Sequence, residues 1–149
     1  MKVWASLYAM VWLVFLELLL TFAPGPPSWL LFVHAALGAL ILVLAAWNLG
    51  RVRGTSAPGR IKRTVRATVA LAIFVAILGI LLWTNLGAST PLLLGYSVRD
   101  LLLFLHVVNA LAIFAQSAAV ATAFDMWEEK EFERPSRPGE TPPMPTSPG

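Results

Sequence analysis

A chain of 149 residues has room for one domain, and 58% hydrophobic against 13% charged residues leaves too little polar surface for a soluble fold. The absence of cysteine excludes disulfides, thiolate metal sites, iron–sulfur clusters and covalently attached c-type haem, so any metal must be held by His, carboxylate or backbone groups. The net charge of +3 is concentrated in one stretch, where it sets orientation and does not point to nucleic acid.

The apolar residues fall in long uninterrupted blocks, which predicts an all-α integral membrane protein with four spans. The first covers residues 3–22 and is ended by Ala23-Pro24-Gly25-Pro26-Pro27. It reads as a retained span, since it is longer than a signal-peptide core and no small-x-small cleavage site follows. The second runs over 28–49 and stops at Gly50 and Arg51. A polar linker precedes the third, at 64–86, which ends before Gly87-Ala88-Ser89-Thr90-Pro91. The fourth occupies 98–124 and completes a transmembrane domain over 1–124. Residues 125–149 form a tail that begins as an acidic helical continuation and ends in a Pro-rich, disordered stretch.

Arg51, Arg53, Arg60, Lys62, Arg63 and Arg66 all lie between spans two and three. The positive-inside rule places that stretch, and with it both termini, in the cytoplasm, as a multi-pass protein of the plasma membrane. Trp29 and Trp83 then fall at the outer interface, and Trp4, Trp47 and Trp127 at the inner one. Leu30-Leu31-Phe32-Val33-His34 matches Leu102-Leu103-Phe104-Leu105-His106, which predicts a four-helix bundle of two parallel-repeat hairpins.

The chain has two histidines, His34 and His106, each inside a predicted span and roughly 9–12 Å from its outer boundary. Two imidazoles at one level are the axial ligand set of a b-type haem, and neutral imidazole brings no buried charge. Gly38 and Ala110 follow them by four residues, on the same faces, where small side chains admit a flat macrocycle. Arg99 sits at the outer surface, suited to a propionate, and Asn109 is a candidate for orienting a ligand. Glu17 reaches the same level and is a candidate catalytic acid or proton carrier. Each has a plainer reading: helix-packing hydrogen bonds for the histidines, Asn109, Asn85 and Gln116, and an interfacial position for Arg99 and Glu17. Trp83 is a further candidate for packing on a haem edge.

Four helices with one histidine in the second and one in the fourth resemble a single half of the haem A synthase family, over residues 3–124. The resemblance rests on His34, His106 and a Gly-bearing third span. It implies oxidation of haem O by a haem-bearing oxidoreductase, with a respiratory oxidase or quinol as partner and a homodimer in place of the fused halves. The usual Glu-x-x-His-Arg motif is absent, since Leu31 precedes His34 by three and Ala35 follows it. The competing reading is a cofactor-free accessory subunit of a membrane respiratory or transport complex.

Overall fold

A computed structural model describes residues 2–21, 28–87, 90–92 and 95–132. They form four helices, α1 (Val3–Thr21), α2 (Ser28–Arg53), α3 (Gly59–Trp83) and α4 (Val98–Phe132), each long and apolar enough to cross a membrane. The Pro-rich break after the first span and the tail beyond Phe132 lie outside the described residues.

Two of the predicted ends are corrected. Helix α2 continues through Gly50 to Arg53, and α3 begins at Gly59 rather than at Thr64. One glycine in a helix costs only about 1 kcal/mol, too little to stop a helix whose hydrogen bonds are already propagating. The basic residues therefore stand on helix ends, and only a short turn joins the two helices. In that turn the Thr55 hydroxyl donates to the Val52 carbonyl (2.8 Å) and accepts from the Ala57 amide (3.3 Å). The Lys62 ammonium donates to the Thr55 carbonyl (2.6 Å) and the Arg53 carbonyl (3.4 Å), placing a cation at the negative end of α2. Helix α4 carries on through the acidic stretch to Phe132.

The other turn is specified as closely. After Trp83 the Leu86 amide reaches the Leu81 carbonyl and the Asn85 amide the Leu82 carbonyl, with Asn85 at φ 54°. This is a Schellman motif with asparagine in the left-handed position, so Asn85 ends a helix and is not the helix–helix bridge expected from its sequence. Ser97 and Asp100 start α4 as a capping box: the Ser97 hydroxyl accepts from the Asp100 amide (3.2 Å), and the Asp100 carboxylate accepts from the Ser97 amide (2.8 Å). Ser97→Ala is expected to cost about 1 kcal/mol of stability, read as a lower thermal midpoint in detergent.

Helix α1 packs on α2 and α4, and α3 packs on the same two. Among the described residues the backbones of neither diagonal pair approach each other closely, and only side chains meet across the axis, so the helices form an up-down-up-down square. Tyr8, near the start of α1, meets Asp125, near the end of α4 (3.5 Å), and the Asn48 amide on α2 reaches the Ser6 carbonyl on α1 (3.3 Å). Buried residues recur at spacings of three and four on every helix: Leu7, Met10 and Val14; Ile41, Ala45, Asn48 and Val52; Ile61, Val65, Thr68 and Ala72; Ile113, Ser117, Val120 and Phe124. These are heptad seams meeting at the bundle axis.

They build two apolar layers. One, around Leu7, Val52, Ile61, Val65, Val120 and Phe124, closes the end that carries the α2–α3 turn, here called the basic end. The second lies further along the axis and contains Met10, Val14, Ile41, Ala45, Ala72 and Ile113. Beyond it, toward the opposite end, α2 and α4 have no buried residue among those described. The bundle is tight at one end and open at the other.

Candidate functional site

The seams continue into the open half. One heptad before Ile41 is His34, one before Ile113 is His106, one after Ala72 is Gly79, and three residues after Val14 is Glu17. All four therefore project toward the axis at one level, one from each helix. The histidines come from the diagonal pair α2 and α4, and their rings face each other with centroids 6.0 Å apart and planes inclined at 61°.

Glu17 does not stand alone. Its Oε2 pairs with Nδ1 of His34, and the carboxylate is nearly sealed, with 10% of its side chain exposed against 35% for His34. A carboxylate on Nδ1 fixes the imidazole tautomer and leaves Nε2 as the free ligand nitrogen. Glu17 Oε1 and His106 Nδ1 are buried without a hydrogen-bond partner among the described residues. The Val75 carbonyl lies alongside the His106 ring without the alignment of a hydrogen bond. Gly79 is the contact the sequence did not reveal. A Cβ there would lie 3.4 Å from His106 Cε1, an ordinary van der Waals distance, so α3 packs directly beside the ring at this point. The signal that finds it is the three-four seam, counted outward from Thr68 and Ala72.

The remaining candidates divide. Gly38 is on the His34 seam, and a Cβ added there would meet nothing within 4 Å, so packing within the chain does not require the glycine. Arg99 lies seven residues before His106, on the same face and about 10 Å toward the open end. Asn109 falls beside the seam, and its amide donates to the Leu105 carbonyl of its own helix (2.7 Å). That amide is thereby engaged away from the histidines. Gln116 accepts from the Thr68 hydroxyl (3.1 Å), the helix–helix bond expected of it. Trp83 packs edge-on against Phe32 at 5.5 Å.

Chemically the site offers two facing imidazoles, one held by a carboxylate. Two imidazoles sharing one metal ion, with bonds of about 2 Å, bring their ring centroids roughly 6 Å apart. The observed separation fits that requirement. Among the described residues no group of three or more His, Cys, Asp or Glu could hold a metal ion.

Fold and site together define a class: a bundle of four helices, each able to cross a membrane, with a Glu–His pair facing a second histidine on its axis. Comparison with protein-family models, with curated proteins and with solved structures finds no match for this chain.

Proposed function

We propose that the protein is a multi-pass membrane protein that holds one b-type haem between His34 and His106 and carries single electrons. The observation that carries this reading is the 6.0 Å separation of the two rings across the bundle. When bound, the haem supplies reversible one-electron chemistry at its iron. The chain's own residues do the rest. His34 and His106 are the residues that would hold the iron, each through one imidazole nitrogen. Glu17 holds the His34 ring by Nδ1 and raises its basicity, which makes it a positioning residue for the ligand. Gly38 and Gly79 would leave room beside the two histidines, and Arg99, toward the open end, would be the cation available to a propionate. Oxidation of haem O would require a second macrocycle site, and two histidines in the chain supply one ligand pair. A second copy of the chain would have to provide the other.

The test is the visible spectrum of the detergent-purified protein before and after dithionite. The sharp reduced bands of a six-coordinate haem are the expected result. A colourless protein, even after expression with ample haem, would sink the proposal and leave the accessory subunit as the better reading.

The basic ends of α2 and α3 support a cytoplasmic location for the α2–α3 turn and for both termini. With no native cysteine, Ser56→Cys gives a single label site in that turn. A membrane-impermeant maleimide is expected to label it in inverted vesicles and not in intact cells, and the reverse pattern would invert the topology.

A further inference from the structure

The basic end of the bundle presents a face that neither the haem reading nor the packing of the helices uses. On α3 the inward seam is Ile61, Val65, Thr68 and Ala72. At about 100° per residue Arg63 stands opposite that seam, with Arg60 and Arg66 about 60° to either side of it. All three are exposed. Lys62, between them, is engaged with the Thr55 and Arg53 carbonyls, whereas the three arginines have no carboxylate within ion-pair distance among the described residues. The acids of the same end stand elsewhere: Asp125, Glu128 and Glu129 of α4 line a groove with Lys2 and Trp4 at the start of the chain.

The same face continues along α3 without charge. Ala67 and Ala70 are exposed next to the arginines, and Ile73, Phe74 and Ile77 are exposed beyond them. The face is therefore polarised along its length: cations over about 9 Å, then a shallow strip of two alanines, then large apolar side chains. Its depth fits a bilayer. From Ala67 to Trp83 the helix rises about 25 Å, against about 30 Å of hydrocarbon, which leaves the arginines at headgroup level. Trp47 of α2 lies at the level of Arg66, is 52% exposed and has the Arg51 guanidinium 6.0 Å from its ring, an interfacial position.

We propose that this face of α3 binds one anionic phospholipid, with its phosphate among Arg60, Arg63 and Arg66 and an acyl chain running over Ala67 and Ala70 toward Ile77. A guanidinium meets phosphate oxygens through two parallel N–H···O bonds, and the small side chains leave room for a chain against the helix. A zwitterionic lipid offers the same chains, but its own ammonium offsets the attraction. The competing occupant is a second copy of the chain, docking by its acidic α4 end. Its carboxylates match the cations and have no counterpart to the apolar strip below them. The inference rests on the membrane reading of the helices and not on haem.

The test is native mass spectrometry of the full chain released from nanodiscs made of equal parts phosphatidylglycerol and phosphatidylcholine. The wild type is expected to retain one phosphatidylglycerol in preference to phosphatidylcholine. Arg63→Gln should lower that retention about fivefold, and Arg60→Gln, Arg63→Gln and Arg66→Gln together on the order of 100-fold, with helicity by circular dichroism unchanged. Lys130→Gln removes one exposed cation from the same end of the bundle, on α4, and should have no effect. Equal retention of the two lipids by the wild type would overturn the proposal. A loss in Lys130→Gln as large as that in Arg63→Gln would also overturn it, by showing diffuse attraction in place of a site. Glycerol phosphate, which carries the charge without the chains, should not displace the lipid, and displacement would assign the arginines to a soluble phosphate. A dimer that Arg63→Gln dissociates would assign the face to a second copy instead. A chain recovered outside the nanodiscs would defeat the membrane reading and this inference with it, whereas a colourless protein touches neither.

Discussion

His106→Ala is expected to abolish the six-coordinate haem spectrum, and His34→Ala to do the same. On the proposed reading each histidine would supply one of the iron's two ligands, and no other His or Cys exists in the chain to replace it. Among the described residues the nearest substitute is Glu17, which is committed to His34. His106→Gly separates ligand loss from misfolding, because added imidazole should restore the bands if the fold and the space are intact. Glu17→Gln should behave differently. It can still accept from Nδ1, so haem should remain while the midpoint potential rises with the loss of negative charge behind the ligand. Glu17→Ala, which leaves Nδ1 without an acceptor, should weaken haem retention on the order of 10–100-fold. An unchanged spectrum in His106→Ala would remove that residue as a ligand. A Glu17→Gln protein that loses its haem would mean that the carboxylate does more than orient the ring.

The largest effect on stability is expected at Gly87. This residue has φ +74°, in the left-handed region, and a Cβ there would fall 2.7 Å from both Cβ and Cγ1 of Val98. Alanine therefore meets two independent penalties. It must adopt a backbone conformation that L side chains rarely take, and it must displace a β-branched residue in the first turn of α4. Gly87→Ala is expected to lower the unfolding free energy by on the order of 3 kcal/mol, measured by denaturant unfolding in mixed micelles. Gly50→Ala gives the opposite sign. That residue lies inside α2, a Cβ there would meet nothing within 4 Å, and a gain of about 0.5–1 kcal/mol is expected from helix propensity alone. A pair of equal effects would show that the Val98 contact is relieved at little cost.

Helix number and approximate limits were legible because apolar length is a direct consequence of bilayer thickness. The shared level of His34 and His106 was legible too, since it needs only the rise per residue. Which face each helix turns inward was not. Helices apolar on all sides carry little amphipathic signal, so the rotation that joins Glu17 to His34 is invisible to hydropathy. The information was present in another form. Ser6, Asn48, Thr68 and Ser117 lie on or beside seams that, continued outward, arrive at Glu17, His34, Gly79 and His106. Small and polar residues, rather than hydrophobic ones, mark the inward face of a membrane helix. Asn85 escaped for a different reason. A left-handed C-terminal cap and a helix–helix bridge use the same residue type, and the distinction lies in the φ angle.

The two apolar layers beneath the histidines give the protein a direction. Glu17 and His34 sit in what amounts to a blind well: its floor is Val14, Ile41, Ala72 and Ile113, and polar traffic toward the basic end is stopped there. Protons exchanged with the site must come and go through its mouth, on the side away from the α2–α3 turn. His34 is six residues into α2, about 9 Å from its start, against a hydrocarbon thickness of about 30 Å. A charge gained there crosses roughly a third of the membrane field, equivalent to about 0.7 kcal/mol per 100 mV. On the proposed electron-carrying reading, uptake of an electron at this level is mildly voltage-dependent in an energised membrane, with a sign set by which face of the bilayer the mouth of the well opens to.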